Sequence, residues 1–208
     1  MPTYRTDGRS RRNPSLRRPW PDGSGAVSVC EVTTEDDVAV LHRALDQLAG
    51  LLDELPAEAL GDRTPCEDWT VETLVDHIVA APAKFARMVR GESIDWSVPT
   101  PSAGPDPAAA FRAHGEELLQ AWRHQESASG APGIDWQCAE LAVHTWDLAA
   151  ALGRSTGALD PQPAERGLDF MRANLTEDNR SPAFGPEQRP PDGADAYQRV
   201  AAFAGRSV

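Results

Sequence analysis

Apolar side chains recur every third or fourth residue through long stretches of this chain, and no stretch sustains a strict apolar–polar alternation. Such spacing gathers apolar side chains on one face of an α-helix, whereas a half-buried strand needs a period of two. Long amphipathic helices with short and medium links predict an all-α helical bundle. The four long predicted helices cover residues 34–55, 70–90, 107–125 and 134–152, and two weaker ones cover 161–175 and 194–204.

Residues at the ends of these stretches support the predicted boundaries. Thr34 and Thr70 open the first two stretches, where a threonine hydroxyl can cap the first turn of a helix. Gly91 and Gly153 follow the second and fourth stretches, and glycine commonly ends helices. Pro82 lies inside the second stretch and lacks a backbone N–H, so we expect a kink or a loosened turn just after His77.

The charge of the chain argues against several classes of partner. Its 208 residues carry a formal net charge of -12, which does not favour nucleic acid or an anionic membrane surface. No apolar run approaches the roughly 20 residues that a membrane span needs.

Cys30, Cys66 and Cys138 form no CxxC motif and no paired framework, which fits a reducing compartment. We expect a cytoplasmic monomer or homodimer with no nucleic-acid partner and no membrane association.

The N-terminal 32 residues differ in composition from the rest of the chain. They are rich in Pro, Gly, Ser and Arg and cannot supply a core, so residues 1–32 are predicted to be a disordered tail. No apolar stretch follows the arginines, so an export signal is rejected. A partner-binding arm and a dispensable extension both remain open, and we favour the extension. The arginines of the tail are Arg5, Arg9, Arg11, Arg12, Arg17 and Arg18.

The fourth predicted helix carries Glu140 and His144, four residues apart. That spacing turns a helix by about 400°, so both side chains lie on one face and can reach a single ion. His77 lies on the apolar face of the second helix, and a buried imidazole needs a partner. The face of the fourth helix that carries Glu140 and His144 could supply that partner. Carboxylate oxygen and imidazole nitrogen suit zinc, nickel, iron and manganese. Spacing alone leaves two other interpretations open. Glu140 and His144 could be a solvated pair, and His77 could be an ordinary core histidine.

Three segments, in order along the chain, resemble the signatures of one family. Residues 64–71 read Thr-Pro-Cys-Glu-Asp-Trp-Thr-Val, and Leu-Val-Asp-His follows at 74–77. Residues 140–149 with Gly153 form the second segment, and residues 183–186 with 199–206 form the third. Together they resemble the DinB-like superfamily, in particular the branch with the metal-binding domain of mycothiol-dependent maleylpyruvate isomerase. The third segment resembles the tail of a subfamily usually described only as metal-binding.

The resemblance implies both an architecture and a ligand set. The architecture is an up-down-down-up four-helix bundle with short C-terminal helices and a metal at one end of the core. His77, Glu140 and His144 match the family's three metal ligands, and further coordination positions would be open to water or substrate. The implied metal is divalent, Zn2+ first and Ni2+ as the alternative. We accordingly divide the chain into the tail, a metal-binding bundle at 33–155, and a helical extension at 156–208 packed on the bundle.

An open metal position suggests two functions. The first is a metal-dependent thiol transferase or isomerase, in which the metal activates a small-molecule thiol such as mycothiol to attack an electrophile. The second is a non-catalytic metal-binding module, such as a stress or ligand-sequestering protein. A third interpretation leaves the triad as the polar core of a structural bundle. Residues 125–132 are shorter than the corresponding hairpin-like stretch of many relatives, a stretch that would help to shape a substrate pocket.

Several residues near the predicted ligands have two interpretations each. Asp147, one further turn along the ligand face, can orient a ligand histidine, become a fourth ligand, or form a salt bridge with an arginine, and we favour the orienting role. Cys66 is predicted to pack in the core instead of acting as a nucleophile. Trp69 is predicted to be a core staple, with a pocket wall as the alternative. Cys138 lies off the ligand face and receives no metal role.

The remaining histidines and three arginines are predicted to lie at the surface. The histidines have no matched partner in the sequence. The arginines are expected to balance the acidic surface, with contact to an anionic substrate as the alternative. These residues are His42, His114 and His124, and Arg63, Arg87 and Arg90.

Overall fold

The computed structural model describes residues 34–66, 68–95, 98–125, 133–180 and 184–208, and these residues form helices and connections without a β-strand. The all-α prediction is confirmed. A 3-10 helix that periodicity did not predict, Ala57–Gly61, lies between the first two α-helices. The predicted tail at 1–32 lies outside the described residues. The α-helices are Glu35–Asp53 (α1), Val71–Val89 (α2), Pro107–Arg123 (α3), Ile134–Ala151 (α4), Gln162–Asn174 (α5) and Ala196–Phe203 (α6).

Local capping signals begin the helices. The Thr34 hydroxyl accepts the backbone N–H of Asp37, and the Asp37 carboxylate accepts the backbone N–H of Thr34 at 2.7 Å, which forms a capping box. Thr70 accepts a 3.3 Å hydrogen bond from the backbone of Thr73 at the start of α2. Each bond satisfies a first-turn N–H that has no partner inside the helix. Every predicted helix boundary consequently falls within two residues of the observed one.

Contacts at the helix ends set the directions of α1, α3 and α4. The guanidinium of Arg154, just after α4, lies 3.2 Å from the carboxylate of Glu54, just after α1, so these helices run parallel. Arg112, in the second turn of α3, donates to Asp53 at the end of α1 at 2.8 Å. The start of α3 thus meets the end of α1, and these two helices run antiparallel.

Contacts between α2 and α4 complete the topology. The ring of Phe85, late in α2, lies 4.8 Å from the ring of Trp136, at the start of α4, measured between centroids. His77, early in α2, contacts Glu140 farther along α4. The two helices therefore run antiparallel, and the order of directions from α1 to α4 is up, down, down, up, as the family resemblance implies.

The connection between α2 and α3 returns along the bundle because these two helices run parallel. Residues 96 and 97 of this connection lie outside the described residues. The backbone N–H of Ala103 donates to the Asp76 carboxylate at 2.7 Å. Asp76 immediately precedes His77, so this bond holds the returning chain beside the turn that carries His77.

Helix α2 continues through Pro82, which is buried. Proline cannot donate to the helix carbonyl four residues earlier. In the same turn the carbonyl of Val79 accepts a 2.7 Å hydrogen bond from Nδ1 of His114 on α3. The prediction that His114 lies at the surface without a partner is therefore wrong. It is half-buried and satisfies a backbone carbonyl 35 residues away, a contact that no local sequence signal reports.

Helix α4 is the central helix of the fold. Every side chain from Trp136 to Ala149 is buried. A helix without an exposed face must be covered from several directions, and α1, α2, α5 and α6 all contact α4. The site residues on α4 therefore face the interior whichever way they point.

Gly167 allows α5 to approach α4 closely. A Cβ atom at this position would lie 2.6 Å from the Cα of Ala139, a backbone atom that cannot move independently. We expect Gly167→Ala to lower the free energy of unfolding by about 1–3 kcal/mol through overpacking, measured by urea denaturation. Gly50→Ala is the matched control, because Gly50 is helical, exposed and has open space around it. The control should be neutral or raise stability by up to about 1 kcal/mol. A Gly167→Ala variant as stable as the control would contradict the close packing.

The chain turns sharply at Gly205, after α6. Gly205 has a φ of +89°, and a Cβ atom there would come within 2.6 Å of the backbone of Gly185. Only glycine combines this left-handed backbone with such a close approach. The turn sends Arg206 into the protein, where the residue is 8% exposed.

Candidate metal centre

The three side chains predicted to be metal ligands meet inside the bundle. The Oε1 atom of Glu140 lies 2.8 Å from Nε2 of His77 and 3.4 Å from Nε2 of His144. One ligand atom from each side chain lies within 4.8 Å of the other two. The side chains of Glu140 and His144 are 6% and 9% exposed, and that of His77 is 14% exposed. The cluster is therefore largely shielded, with His77 on its more open side.

The donor set fits a single divalent ion. Zinc binds imidazole nitrogen and carboxylate oxygen at about 2.0–2.2 Å, so ligand atoms on one tetrahedral ion lie about 3–3.5 Å apart. The two separations from Oε1 of Glu140, 2.8 and 3.4 Å, are close to this spacing. Two imidazoles and one carboxylate also form the protein ligands of catalytic zinc sites that keep a fourth position for water or substrate. Within the part of the chain that the structure describes, no other group of three such side chains converges in this way.

Asp147 contacts the other ring nitrogen of His144. Nδ1 of His144 donates to the Oδ2 atom of Asp147 at 3.1 Å, and the Asp147 side chain is fully buried. A hydrogen on Nδ1 leaves Nε2 of a neutral imidazole free to act as a ligand. Asp147 thus lies directly behind the histidine and on the side away from Glu140.

Asp147 is also paired with Arg206. Its two carboxylate oxygens accept hydrogen bonds from Nε and Nη2 of Arg206, each at 3.1 Å. A bond to His144 and a salt bridge to an arginine were alternatives in the sequence, and the structure contains both. Sequence reasoning missed Arg206, although it lies in the C-terminal segment of the family resemblance, because no spacing rule joins residues 59 positions apart.

Cys66 lies behind the same guanidinium. Nη2 of Arg206 is 3.8 Å from the Sγ atom of Cys66. Burial, together with the Asp147 carboxylate, raises the pKa of the Cys66 thiol to about 12, although Arg206 opposes the shift. Burial also raises the pKa of Cys138 to about 12. Both thiols are therefore protonated at neutral pH, which agrees with packing roles and not with nucleophiles.

Trp69 forms one wall of the site. Its ring centroid lies 4.9 Å from that of His77 and 6.0 Å from that of His144, and it is nearly parallel to the second ring. The turn before α2 orients this side chain, since Asp68 has a φ of +69° and the Trp69 backbone N–H donates to the carbonyl of Cys66. Its half-buried ring also packs against the core, as predicted, so Trp69 joins the core packing to the two histidine rings of the triad.

The ionisable groups of the triad carry different charges. Burial alone would lower the pKa of His144, but Glu140 and Asp147 outweigh it and raise the pKa to about 9. Burial lowers the pKa of His77, and His144 adds to that effect despite the hydrogen bond to Glu140. Burial would raise the pKa of Glu140, but His144 and His77 hold it well below its ordinary value. Without a metal at neutral pH, Glu140 is therefore anionic, His144 cationic and His77 neutral.

Most of the residues predicted to lie at the surface do so. His42 and His124 are exposed, and so is Arg63. Arg87 and Arg90 form exposed ion pairs with glutamates, at 2.7 and 2.6 Å. These side chains balance acidic surface groups and lie outside the triad.

Comparison with known proteins assigns the family. Residues 41–149 match the sequence model of the mycothiol maleylpyruvate isomerase N-terminal domain. The match runs from α1 to the last buried residue of α4 and includes the whole triad and Asp147. The chain belongs to this family. The mycothiol maleylpyruvate isomerase N-terminal domain is DinB-like, so the resemblance drawn from the sequence motifs is confirmed.

Two relatives of this chain come from strains of Mycobacterium tuberculosis, and both are described as uncharacterized proteins. Each is 32% identical over 183 residues, which cover 83% of this chain and 99% of the relative. The similarity therefore reaches beyond the residues matched to the family itself. No solved structure matches the chain. Among the described helices, none has the length and apolar character that a bilayer crossing requires.

Proposed function

We propose that this member of the mycothiol maleylpyruvate isomerase N-terminal domain family binds one divalent metal ion through His77, Glu140 and His144. The observation that carries the proposal is the buried convergence of two imidazole nitrogens and one carboxylate oxygen within 4.8 Å. Zn2+ suits this donor set, and Ni2+ is the alternative. The membership of the chain in a mycothiol-related family supports the same assignment.

The activity we propose is thiol transfer or isomerisation with a small-molecule thiol, mycothiol being the one suggested by the family name. A bound divalent ion would lower the pKa of a coordinated thiol and so provide a thiolate near neutral pH. That thiolate would attack an electrophile such as an activated double bond. We assign the nucleophile to an external thiol, because the thiols of Cys66 and Cys138 are protonated at neutral pH. We place this activity in the cytoplasm, where reducing conditions preserve free thiols.

The protein's own residues would position and shield the reacting thiol. Asp147 holds the ring hydrogen of His144 on Nδ1, so Nε2 stays directed toward Glu140. Trp69 covers both imidazole rings and would exclude water from that side. These contacts keep the ligand geometry fixed while the reactants change, which is the role expected of residues behind a metal site.

One observation favours a second candidate, a non-catalytic metal-binding module of the stress or ligand-sequestering kind. General acid–base catalysis of such a reaction uses a group that transfers protons near neutral pH. Burial would raise the pKa of Asp147, but Arg206 and His144 lower it, so this carboxylate stays ionised. A carboxylate held in this way is a poor proton shuttle, and a sequestering protein would not need one.

Metal content tests the proposed ligands. We expect wild-type protein, prepared without a histidine tag, to hold about one divalent ion per chain by element-resolved mass spectrometry. His77→Ala and Glu140→Ala should each lose most of that metal, whereas His42→Ala is the matched control because His42 is exposed and remote from the triad. Wild-type protein that binds no metal, even after dialysis against Zn2+, would contradict the proposal and leave the triad as a polar core.

Thiol turnover separates the two candidate functions. Metal-loaded protein would be incubated with mycothiol and a panel of activated alkenes, and thiol consumption would be followed with time. A rate above that of His144→Ala supports the transferase or isomerase. Stoichiometric metal binding with no such rate, and with no thiol binding by calorimetry, would support the non-catalytic module instead.

A further inference from the structure

The C-terminal segment that follows α6, residues 205–208, inserts one side chain into the protein. Arg206 is 8% exposed, whereas Ser207 and Val208 lie at the surface. The backbone N–H groups of Gly205 and Arg206 donate to carbonyls of α6 at 3.0 Å each, and these bonds join the segment to its own helix. The Gly205 turn and the Arg206 guanidinium join it to other elements. A short chain end held in this way opens at a lower free energy than the core.

The Arg206 guanidinium connects this segment to the candidate metal centre. Its Nε and Nη2 atoms donate to the two carboxylate oxygens of Asp147 at 3.1 Å each. The same carboxylate accepts the Nδ1 hydrogen of His144 at 3.1 Å, so Asp147 holds both the segment and a candidate ligand. Asp147 is fully buried, and without Arg206 its charge would draw in water or turn away from His144. Release of the segment therefore changes the support of His144.

Release of Arg206 has two opposing effects on metal binding. The guanidinium repels a divalent cation, so its departure alone would favour the metal. That repulsion is small because Asp147 pairs with the guanidinium and neutralises its charge. The departure also frees Asp147, and loss of the partner behind a ligand histidine lowers metal affinity about 10–100-fold. The second effect is the larger one, so an open segment should bind metal more weakly.

We propose that residues 205–208 form a latch whose closure is coupled to metal binding at the triad. The inference rests on the proposed metal site and adds a regulatory property to it. Coupling between two sites is reciprocal, so a metal ion at the triad would stabilise the closed latch by the same factor by which opening weakens metal binding. A partner that captures the open segment would thereby promote release of the metal.

The thiol of Cys66 reports whether the latch is closed. Its Sγ atom lies 3.8 Å from Nη2 of Arg206, and the residue is half-buried. The guanidinium covers the thiol, so opening of the latch exposes Cys66 to water and to an alkylating reagent. Iodoacetamide reacts with the thiolate, forms a carbon–sulfur bond and releases iodide. Cys138, fully buried on α4, is the internal control because its thiol is exposed only when the core opens.

Alkylation of Cys66 with and without saturating Zn2+ tests the coupling without requiring turnover. The protein would carry Cys30→Ser, which limits the reaction to Cys66 and Cys138, and mass spectrometry would follow each thiol with time. We expect Cys66 to react faster than Cys138, because the latch opens without unfolding of the core. Zn2+ should slow the reaction of Cys66 about 10–100-fold. Equal rates at the two thiols would show that only global opening exposes Cys66, which contradicts the latch.

Arg206→Met, added to the Cys30→Ser protein, tests whether the coupling passes through the guanidinium. Cys66 should then react faster without metal, and Zn2+ should slow it by about twofold or less. Zn2+ affinity, measured by calorimetry, should fall by about the factor by which Zn2+ slows alkylation when Arg206 is present. If this variant does not fold, Arg206→Lys replaces it, because lysine keeps the charge but not the paired contact with Asp147. Arg189→Met is the control, because Arg189 is 90% exposed, and it should keep both the Zn2+ affinity and the protection.

The outcomes distinguish this inference from the function on which it rests. Protein that binds Zn2+ while the alkylation of Cys66 stays unchanged, or becomes faster, would overturn the latch alone. Full protection by Zn2+ in Arg206→Met would show that the metal site shields the thiol without Arg206, and this would also overturn the latch. Failure of the wild type to bind Zn2+ would overturn the proposed metal site together with the latch.

Discussion

Replacing Arg206 with methionine is expected to lower the free energy of unfolding by about 3–5 kcal/mol. The guanidinium is 8% exposed and donates two hydrogen bonds to Asp147, whose side chain is fully buried. Its removal leaves a buried carboxylate with His144 as its remaining partner. Urea denaturation at neutral pH measures the loss. Arg189→Met is the control, because that side chain is 90% exposed, and it should change stability by less than about 0.5 kcal/mol.

A double variant separates stability from metal binding at this pair. Asp147→Leu combined with Arg206→Met removes both charges, and apolar replacement of a buried ion pair is often neutral or stabilising. We expect most of the lost stability to return. His144 would still lack its Nδ1 partner, so Zn2+ affinity should stay about 10–100-fold below wild type. A double variant that binds Zn2+ normally would show that the pair does not orient His144, and a fully stable Arg206→Met would show that the pair adds nothing to stability.

The apparent affinity for Zn2+ is expected to fall about 50-fold between pH 9 and pH 7. The pKa of His144 is raised to about 9 by Glu140 and Asp147 despite burial, so below that pH a proton must leave before a metal binds. Each further pH unit then weakens binding about tenfold. Glu140 adds nothing in this range because its pKa is well below the ordinary value. Calorimetry at pH 7 in buffers of different ionisation enthalpy should show release of about one proton per ion.

The stability of the metal-free protein should fall as the pH rises from 7 to 9, whereas the Zn2+ affinity rises over the same range. The pKa of His144 in the folded protein lies above its ordinary value of 6.5, so its contribution is complete below about pH 6.5 and is lost as the pH rises through about 9. The metal-free melting temperature should therefore fall across this window while Zn2+ affinity increases. His144→Gln should lack this fall. A flat Zn2+ affinity between pH 7 and pH 9, without proton release, would contradict both expectations.

Helical spacing explains which parts of the site could be predicted from the sequence. Glu140 and His144 lie four residues apart on one helix, so their relative direction follows from helix geometry alone. His77 lies 63 residues before Glu140, and periodicity places it only on an apolar face. The need of a buried imidazole for a partner suggested the ligand face of α4, and the family resemblance selected it, because helix spacing does not say which faces meet.

Arg206, Trp69 and His114 lie beyond what helical periodicity can predict. Arg206 enters the site from a glycine turn after α6, and the direction of Trp69 depends on the left-handed backbone of the residue before it. His114 binds a backbone carbonyl of a neighbouring helix. Each contact is set by tertiary packing.

The division into residues 33–155 and 156–208 stays a prediction, and we propose that these parts fold as one unit, because Arg206 in the second pairs with Asp147 in the first.

The burial of α4 on every side also bears on how this protein can evolve. Each position from Trp136 to Ala149 is a core position, so a substitution there changes packing on one side of the helix or another. Surface positions, in contrast, tolerate most substitutions at little cost in stability. Divergence among relatives should therefore accumulate in the exposed faces of α3 and α5 and in the loops. The sequence of α4 would change little, and the site residues that it carries, Glu140, His144 and Asp147, would keep their positions.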